Sequence, residues 1–216
     1  MPVYPSPEPL RVLAINGSPR PDSQTRKALR IALTGAAEAG AVVKLADLSS
    51  YDLGWRSTAG GLEPGGLDAG KLRLEIRSAH GLILGSPEYH GSFSGLLKNA
   101  LDQFQIEDFA GKVVALVGAA GGRQGAFGAL SGLRLVAKSL KTWVLPDEVS
   151  VAQAGKAFGE DGLAFDPALH QRLLELGAKA AQFASLHSGA SALPKDVRTA
   201  APDSGSNSIS SASVTI

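Results

Sequence analysis

Apolar residues along this chain fall into two alternating rhythms. Five short, nearly continuous runs have the length of strands: Leu10–Ile15 (LRVLAI), Ala41–Leu45 (AVVKL), Gly81–Leu84 (GLIL), Lys112–Val117 (KVVALV) and Thr142–Leu145 (TWVL). Runs of this kind, bounded by Gly, Pro and Asn, predict strands buried on both faces, as in parallel sheets. Between them the apolar residues recur every three or four positions, the spacing of a helix that covers a sheet. Ala28, Leu29, Ala32, Leu33 and Ala36 mark the first helix, with Asp22 or Ser23 as its cap and Gly40 at its end. Leu67, Leu72, Leu74 and Ile76 mark a second over 67–78, and Leu96, Leu97, Ala100, Leu101 and Phe104 a third. A fourth is predicted over 126–140. A fifth starts at Asp166-Pro167, with Leu169, Leu173, Leu176, Ala180 and Phe183 on one side. The fifth strand is expected to stop at Pro146.

Strand and helix alternate about five times, which predicts a doubly wound α/β domain. The expected architecture is a flavodoxin-like five-stranded parallel sheet in the order 2-1-3-4-5, with helices on both faces. In that order the winding reverses between strands one and three. The loops that follow these strands therefore flank one crevice, and the loop after strand four closes its side. The domain is expected to span residues 10–187. A Pro-rich arm (1–9) precedes it, and a flexible Ser/Ala/Gly-rich tail (188–216) follows. The irregular Gly-rich segment 47–66 is too long for a simple connection and reads as a binding or interface loop.

Charge changes this picture by exclusion. Lys+Arg number 21 and Asp+Glu 20, so the basic excess of a nucleic-acid or membrane-surface protein is missing. The chain has no cysteine, which removes disulfides, thiol catalysis and thiolate metal sites. The four histidines are scattered, with no metal-ligand spacing. No stretch approaches the length of a membrane span, and the proline-rich start does not resemble a signal peptide, so a cytoplasmic location is expected.

The chemistry sits in three loops at strand ends. The first, Gly17–Arg26 (GSPRPDSQTR), offers hydroxyls from Ser18, Ser23 and Thr25, the Arg20 guanidinium, and free backbone N–H groups at a helix start. It is either a phosphate cradle or an ordinary turn with a serine cap. It lacks the GxxxxGK[ST] pattern, which argues against a nucleoside triphosphate. The second, Gly85–Ser92 (GSPEYHGS), can hold a flat redox ring against Pro87, Glu88, Tyr89 and His90, with backbone N–H groups of residues 88–91 as donors. Tyr89 could equally cover the next helix, and His90 could be a plain loop residue. Glu88 reads as exposed or locally paired rather than as a catalytic acid. The third, Gly118–Gly125 (GAAGGRQG), is a weak dinucleotide fingerprint, and its glycines suit close backbone approach to a ring edge. Arg123 is open between a solvated charge, a phosphate contact and an interface residue.

Gly17-Ser18-Pro19-Arg20 with Ser23, then Gly85-Ser86-Pro87-Glu88-Tyr89 and Leu97-Lys98-Asn99-Ala100-Leu101-Asp102, resemble the NADPH-dependent FMN reductase family. This is a flavodoxin-like family related to azo, quinone and chromate reductases. The resemblance covers roughly residues 10 to 185. It implies tightly bound FMN, with NADPH or NADH as co-substrate, and a homodimer or homotetramer with the flavin near a subunit interface. Carried over by position, Ser18, Arg20, Ser23, Gln24 and Thr25 would surround the phosphate. Pro87, Glu88, Tyr89, His90 and Gly91 would line the isoalloxazine ring, and Ala120, Gly121 and Gly122 would close its far edge. Asn99 and Asp102 would fix the loop or an interface. The family commonly has Asn at position 90 and Pro at position 94, where this chain has His and Ser. The first departure bears on acceptor choice. The implied activity is ping-pong hydride transfer to a small-molecule acceptor: a quinone, an azo compound, a metal oxyanion such as chromate, ferric iron or a free flavin. No catalytic side chain is assigned. The competing readings are a flavodoxin-like electron carrier and an FMN-binding regulatory protein without turnover.

Overall fold

The computed structural model describes residues 8–55 and 65–188. Strands β1 (Arg11–Asn16), β2 (Val42–Asp47), β3 (Gly81–Tyr89), β5 (Val113–Ala119) and β6 (Trp143–Val151) form a parallel sheet in the order β2-β1-β3-β5-β6. This is the expected flavodoxin-like order. One short strand is added: β4 (Ser92–Phe93) turns back antiparallel on the end of β3. The helices are α1 (Gln24–Glu38), α2 (Ala69–Ser78), α3 (Gly95–Asp102), α4 (Phe127–Ser139) and α5 (Pro167–Ser188). Among the described residues no helix is long and apolar enough to cross a membrane.

Successive residues of a strand point to opposite faces, so each central strand feeds two cores. Val12, Ala14, Ile83, Ala115 and Val117 pack with α1 and α5 through Leu29, Leu33, Leu173 and Leu176. Leu13, Ile15, Leu82, Leu84, Val114 and Leu116 pack on the other face with Leu72, Ile76, Leu97, Leu101, Leu130 and Leu133 of α2, α3 and α4. Ser23 caps α1, its Oγ accepting from the Arg26 N–H at 3.0 Å. Close contact between α1 and α5 depends on Gly35 and Gly177, where an added Cβ would enter the facing helix backbone.

Two strand ends, the start of α2 and two residues expected on buried helix faces depart most from expectation. β3 does not stop at Leu84 but runs through Gly85-Ser86-Pro87 to Tyr89. Its pairing with β1 ends at Gly85, while Ser86 and Pro87 continue beside Gly118 and Ala119 of β5. A residue without an N–H is tolerated where a strand is paired on one side. β6 continues past Pro146 to Val151 because it is an edge strand and its register against β5 shifts between Val114 and Leu116; edges and bulges are where sheets accept proline. Leu67 precedes α2 and is exposed, as is Leu74. Phe183 lies at the rim of the buried stripe of α5, which runs through Leu176, Ala180, Ala181 and Ala184, and is 42% exposed. Most of the N-terminal arm, the centre of the Gly-rich 47–66 segment and the C-terminal tail fall outside the described residues. The two stems of that segment are held by α3: Asn99 Nδ2 donates to the Gly54 carbonyl, and Gln103 bridges the Gly54 carbonyl and the Gly65 N–H at 2.7 and 2.8 Å.

Candidate functional site

At the C-terminal ends of β1, β3 and β5 the sheet opens into a cavity of about 700 Å³. This is the crevice where the winding reverses. Its walls come from the three loops foreseen and from one that was not. The first loop supplies Ser18, Arg20, Pro21, Asp22, Gln24 and Thr25. The ring-side loop supplies Pro87, Glu88 and Tyr89; the third supplies Ala119, Ala120 and Gly121. Ala154 and Gly155, in the short turn after β6, complete the wall. That turn was hidden in the sequence because the fifth strand was expected to stop at Pro146, whereas it runs on to Val151.

The first loop is fixed by a buried polar network. Asn16, the last residue of β1, is fully buried. Its Oδ1 accepts from the Ser18 N–H at 3.3 Å and from Ser23 Oγ at 3.4 Å. Its Nδ2 donates to Asp47 Oδ1 at 2.9 Å. Asp47, the last residue of β2, is its register partner. Asp47 Oδ2 accepts from Arg26 Nη1 at 2.7 Å, and Arg26 Nη2 donates to the Pro21 carbonyl. Ser49 donates twice to Asp47 Oδ1, from its N–H and its hydroxyl. Burial raises the pKa of the Asp47 carboxyl, but the hydrogen bonds from Arg26, Ser49 and Asn16 outweigh it and hold the group below its ordinary value. Apart from Ser23, expected as the cap of α1, none of these braces was singled out from sequence. The one available signal was the polar residue at the end of each of the first two strands.

The charges around the cavity are unequally available. Asp22 pairs with Lys27 at 3.0 Å and accepts from Gln24 Nε2. Glu88 Oε2 accepts from the Ala129 N–H at 3.0 Å, in the first turn of α4. There it compensates the positive end of a helix whose N-cap, Ala126, has no side-chain acceptor. Arg26 is committed to Asp47 and Pro21. Among the described residues lining the cavity, Arg20 is the sole cation. Gln24 Oε1 is buried and has no hydrogen-bond partner among the described residues.

Four residues named from sequence do not line this cavity. Ser23 lies beneath it as the α1 cap. His90 and Gly91 form the two-residue turn between β3 and β4, with φ of 51° and 77°, flanked by the Tyr89–Ser92 pair. Two consecutive positive φ values are the geometry of a tight hairpin turn, which favours Asn-Gly. His tolerates that region better than most side chains. The His90 side chain is accordingly exposed. Gly122 lies outside the wall, its carbonyl accepting from the Gln153 N–H at 2.9 Å and so tying the third loop to the turn after β6. Ser94 caps α3, accepting from the Leu97 N–H, and donates to the Gly17 carbonyl at 2.6 Å. It thereby joins the ring-side loop to the first loop. Among the described residues no group of three His, Asp or Glu could hold a metal.

A parallel sheet with a cavity at its winding reversal, lined by a hydroxyl-rich loop and an aromatic loop, defines a flavodoxin-like ligand-binding protein. The family model described as NADPH-dependent FMN reductase matches residues 10–156, and the chain belongs to that family. It is 41% identical over 91 residues to an FMN-dependent NADPH-azoreductase of Staphylococcus aureus, a match covering 42% of this chain and 48% of that protein. The counterpart from Staphylococcus saprophyticus is 44% identical over 79 residues, 37% of this chain and 42% of that protein. The matches thus span just under half the length of these curated relatives. Among solved structures, the flavoenzyme FerB of Paracoccus denitrificans, an NAD(P)H:(acceptor) oxidoreductase, superposes with a TM-score of 0.67 at 22% identity, covering 82% of this chain and 98% of that one. The apo form of the NADH:FMN oxidoreductase EMOB gives 0.62 at 22% identity, over 88% of this chain and all of that one. These superpositions establish the shared fold.

Proposed function

We propose that this chain is an NAD(P)H-dependent oxidoreductase that holds FMN in the cavity and delivers electrons from NADPH or NADH to a small-molecule acceptor. The observation that carries this reading is that one cavity, of about 700 Å³, joins the loop rich in anion-binding groups to the aromatic loop. That volume lies within the range of cofactor sites. Family membership and the names of its azoreductase relatives support the same reading.

The residues present fit the group. Ser18, Thr25 and the start of α1 supply donors for a phosphate, and Arg20 supplies the positive charge of the cavity lining. Gln24 Oε1 is a buried acceptor in want of a donor, and a ribityl hydroxyl is one. Pro87, Tyr89, Ala119, Ala120 and Gly121 present flat and apolar surface to a ring. Bound FMN would supply the redox chemistry, taking up a hydride and passing the electrons on. The chain then has to bind, orient and exclude water. No side chain is assigned as acid or base, and Glu88 is occupied in capping α4.

The acceptor class extends the proposal: an azo compound, quinone, chromate, ferric iron or free flavin, reduced in ping-pong fashion at the site that NAD(P)H has vacated. A homodimer or homotetramer belongs to the same reading. It is supported by Phe127 and Leu135, which stand exposed on the outer face of α4, and is checked by light scattering. A cytoplasmic location also goes with it, and cell fractionation checks that. The deciding experiment mixes FMN-loaded protein with NADPH and then with each acceptor in a stopped-flow instrument. Loss of the visible flavin band, followed by its return on acceptor addition, is expected. Binding of FMN without bleaching would instead make the protein an electron carrier or a regulatory flavin binder. Failure to bind FMN at all would end the flavin reading.

A further inference from the structure

Outside the cavity wall, the feature with the most side-chain investment is the closed circuit beneath the first loop. It runs from Asn16 Nδ2 to Asp47, from Asp47 to Arg26, and from the Arg26 N–H to Ser23 Oγ. Ser23 Oγ then returns to Asn16 Oδ1. A branch from Arg26 reaches the Pro21 carbonyl, and Asn16 also receives the Ser18 N–H. The loop is therefore gripped at residues 18, 21 and 23 by the Asn16 and Arg26 side chains of β1 and α1, which Asp47 of β2 ties together. Asp47 does not line the cavity. It lies on a different strand from the loop, and it is where the circuit's two arms, Asn16 and Arg26, meet.

We infer that Asp47 is a positioning residue for the anion end of the FMN site: it holds the 17–25 loop in its phosphate-accepting shape by orienting Asn16 and by engaging Arg26. Two consequences follow from the geometry. First, Arg26, although three residues from the cap of α1, has its guanidinium turned to Asp47 and Pro21 and serves as a brace. The phosphate's charge partner is Arg20. Second, the loop's Ser18, Gln24 and Thr25 reach the cavity in a conformation set before any ligand arrives. Preorganisation of this kind raises affinity by lowering the ordering cost of binding. It acts chiefly on the phosphate end, because the circuit's side chains hold residues 18, 21 and 23. By contrast, β3 meets this region through backbone, Asn16 pairing with Gly85 and the Gly17 N–H donating to the Gly85 carbonyl, and Ser94, just after β4, through its hydroxyl on the Gly17 carbonyl.

This inference rests on the FMN reading, and comparison of FMN with riboflavin separates the two. Both ligands carry the ring and ribityl chain, and only FMN carries the phosphate. Fluorescence-quenching titrations of wild type, Asp47→Asn and Arg26→Lys with each ligand provide the test. Asn keeps the shape of Asp but loses the charge-assisted bond to Arg26. Lys keeps the charge but cannot span Asp47 and Pro21 as a planar fork does. In the wild type, FMN is expected to bind tighter than riboflavin. In Asp47→Asn the FMN dissociation constant is expected to rise about tenfold or more, as for loss of a charged hydrogen bond, with riboflavin affinity unchanged. Arg26→Lys should show the same selective loss to a smaller degree, and it remains informative should Asp47→Asn fail to fold. An equal loss of both ligands, or an unchanged preference for FMN in both variants, would overturn the role of Asp47. A wild type that does not prefer FMN over riboflavin would overturn the phosphate cradle itself.

Discussion

The two loops that face each other across the cavity are built on opposite principles. The first loop, residues 17–23 leading into α1, contains no strand or helix and is shaped by side chains. Asn16, Ser23, Arg26 and Asp47 satisfy its polar groups through buried, partly charged hydrogen bonds. The ring-side loop is shaped by backbone. It is a hairpin of β3 and β4 with a positive-φ turn at His90-Gly91, anchored by Ser86, Ser94 and Glu88. A side-chain network is sensitive to chemistry at constant shape, because a buried polar group left without its partner costs free energy. A hairpin is sensitive to allowed dihedrals and tolerates chemical change at its tip. The loop proposed to recognise a phosphate is thus the one held by charge.

Substitutions can break or sharpen this contrast. The largest effect is expected from Arg20→Ala, which removes the cavity's cation. FMN affinity should fall by about 1.5–3 kcal/mol, the worth of a hydrogen bond to a charged group, as measured by titration; unchanged affinity would remove Arg20 from the site. Next comes Gly17→Ala, at the point where the two loops touch. A Cβ there would lie 2.6 Å from the Leu97 Cβ, and such overpacking costs about 1–3 kcal/mol. Chemical denaturation should show that loss, together with weaker binding.

A third test addresses charge within the first loop. The Asp47 carboxyl is held below its ordinary 3.8. Its contribution to stability is therefore complete above that value and fades as the pH falls through the folded-state value. Asp47→Asn should cost on the order of 1 kcal/mol at neutral pH and flatten the acid side of the stability profile. Parallel acid profiles for wild type and variant would count against the ionic brace. On the ring-side loop, Glu88→Gln should cost about 0.3–1 kcal/mol of stability, by loss of the negative charge at the α4 N-terminus. Its FMN affinity should remain near that of the wild type. The smallest effect belongs to His90→Asn. Asn suits the positive-φ turn better than His, so thermal melting should show a gain of a few tenths of a kcal/mol, about the scale of a turn preference. The ratios of kcat/KM among acceptors decide whether His90 also shapes access: unchanged ratios leave it a turn residue.

Part of the site was legible in the sequence because both loops sit where a short apolar run meets Gly, Ser and Pro. Ser18, Arg20, Gln24 and Thr25 are local to the first loop, and Pro87, Glu88 and Tyr89 to the second. Glu88 was open between an exposed and a locally paired group, and the structure pairs it with the Ala129 N–H. His90 shows the limit of positional transfer. Its neighbour Gly91 and the following Ser92 announce a turn, yet the direction of the side chain depends on the hairpin formed with β4. Strand ends beyond Leu84 and Leu145 were misjudged because proline was read as a stop. A sheet edge, or a strand paired on one side, makes the missing N–H harmless.

Taken alone, the amino-acid sequence determined the alternation of strand and helix that makes a parallel sheet, and the composition of the three principal loops. These follow from local periodicity and from turn residues that act within a few positions of themselves. Tertiary structure decided what meets across distance. It brought Asp47 beside Asn16 through the parallel register of β1 and β2, and it brought Ala154 and Gly155 to the cavity through the continuation of β6. It also turned the Arg26 guanidinium to Asp47 and left Arg20 lining the cavity. The physical reason is that hydrogen bonds and ion pairs between residues tens of positions apart carry no periodic signature. They exist only once the sheet has set the register that makes them neighbours.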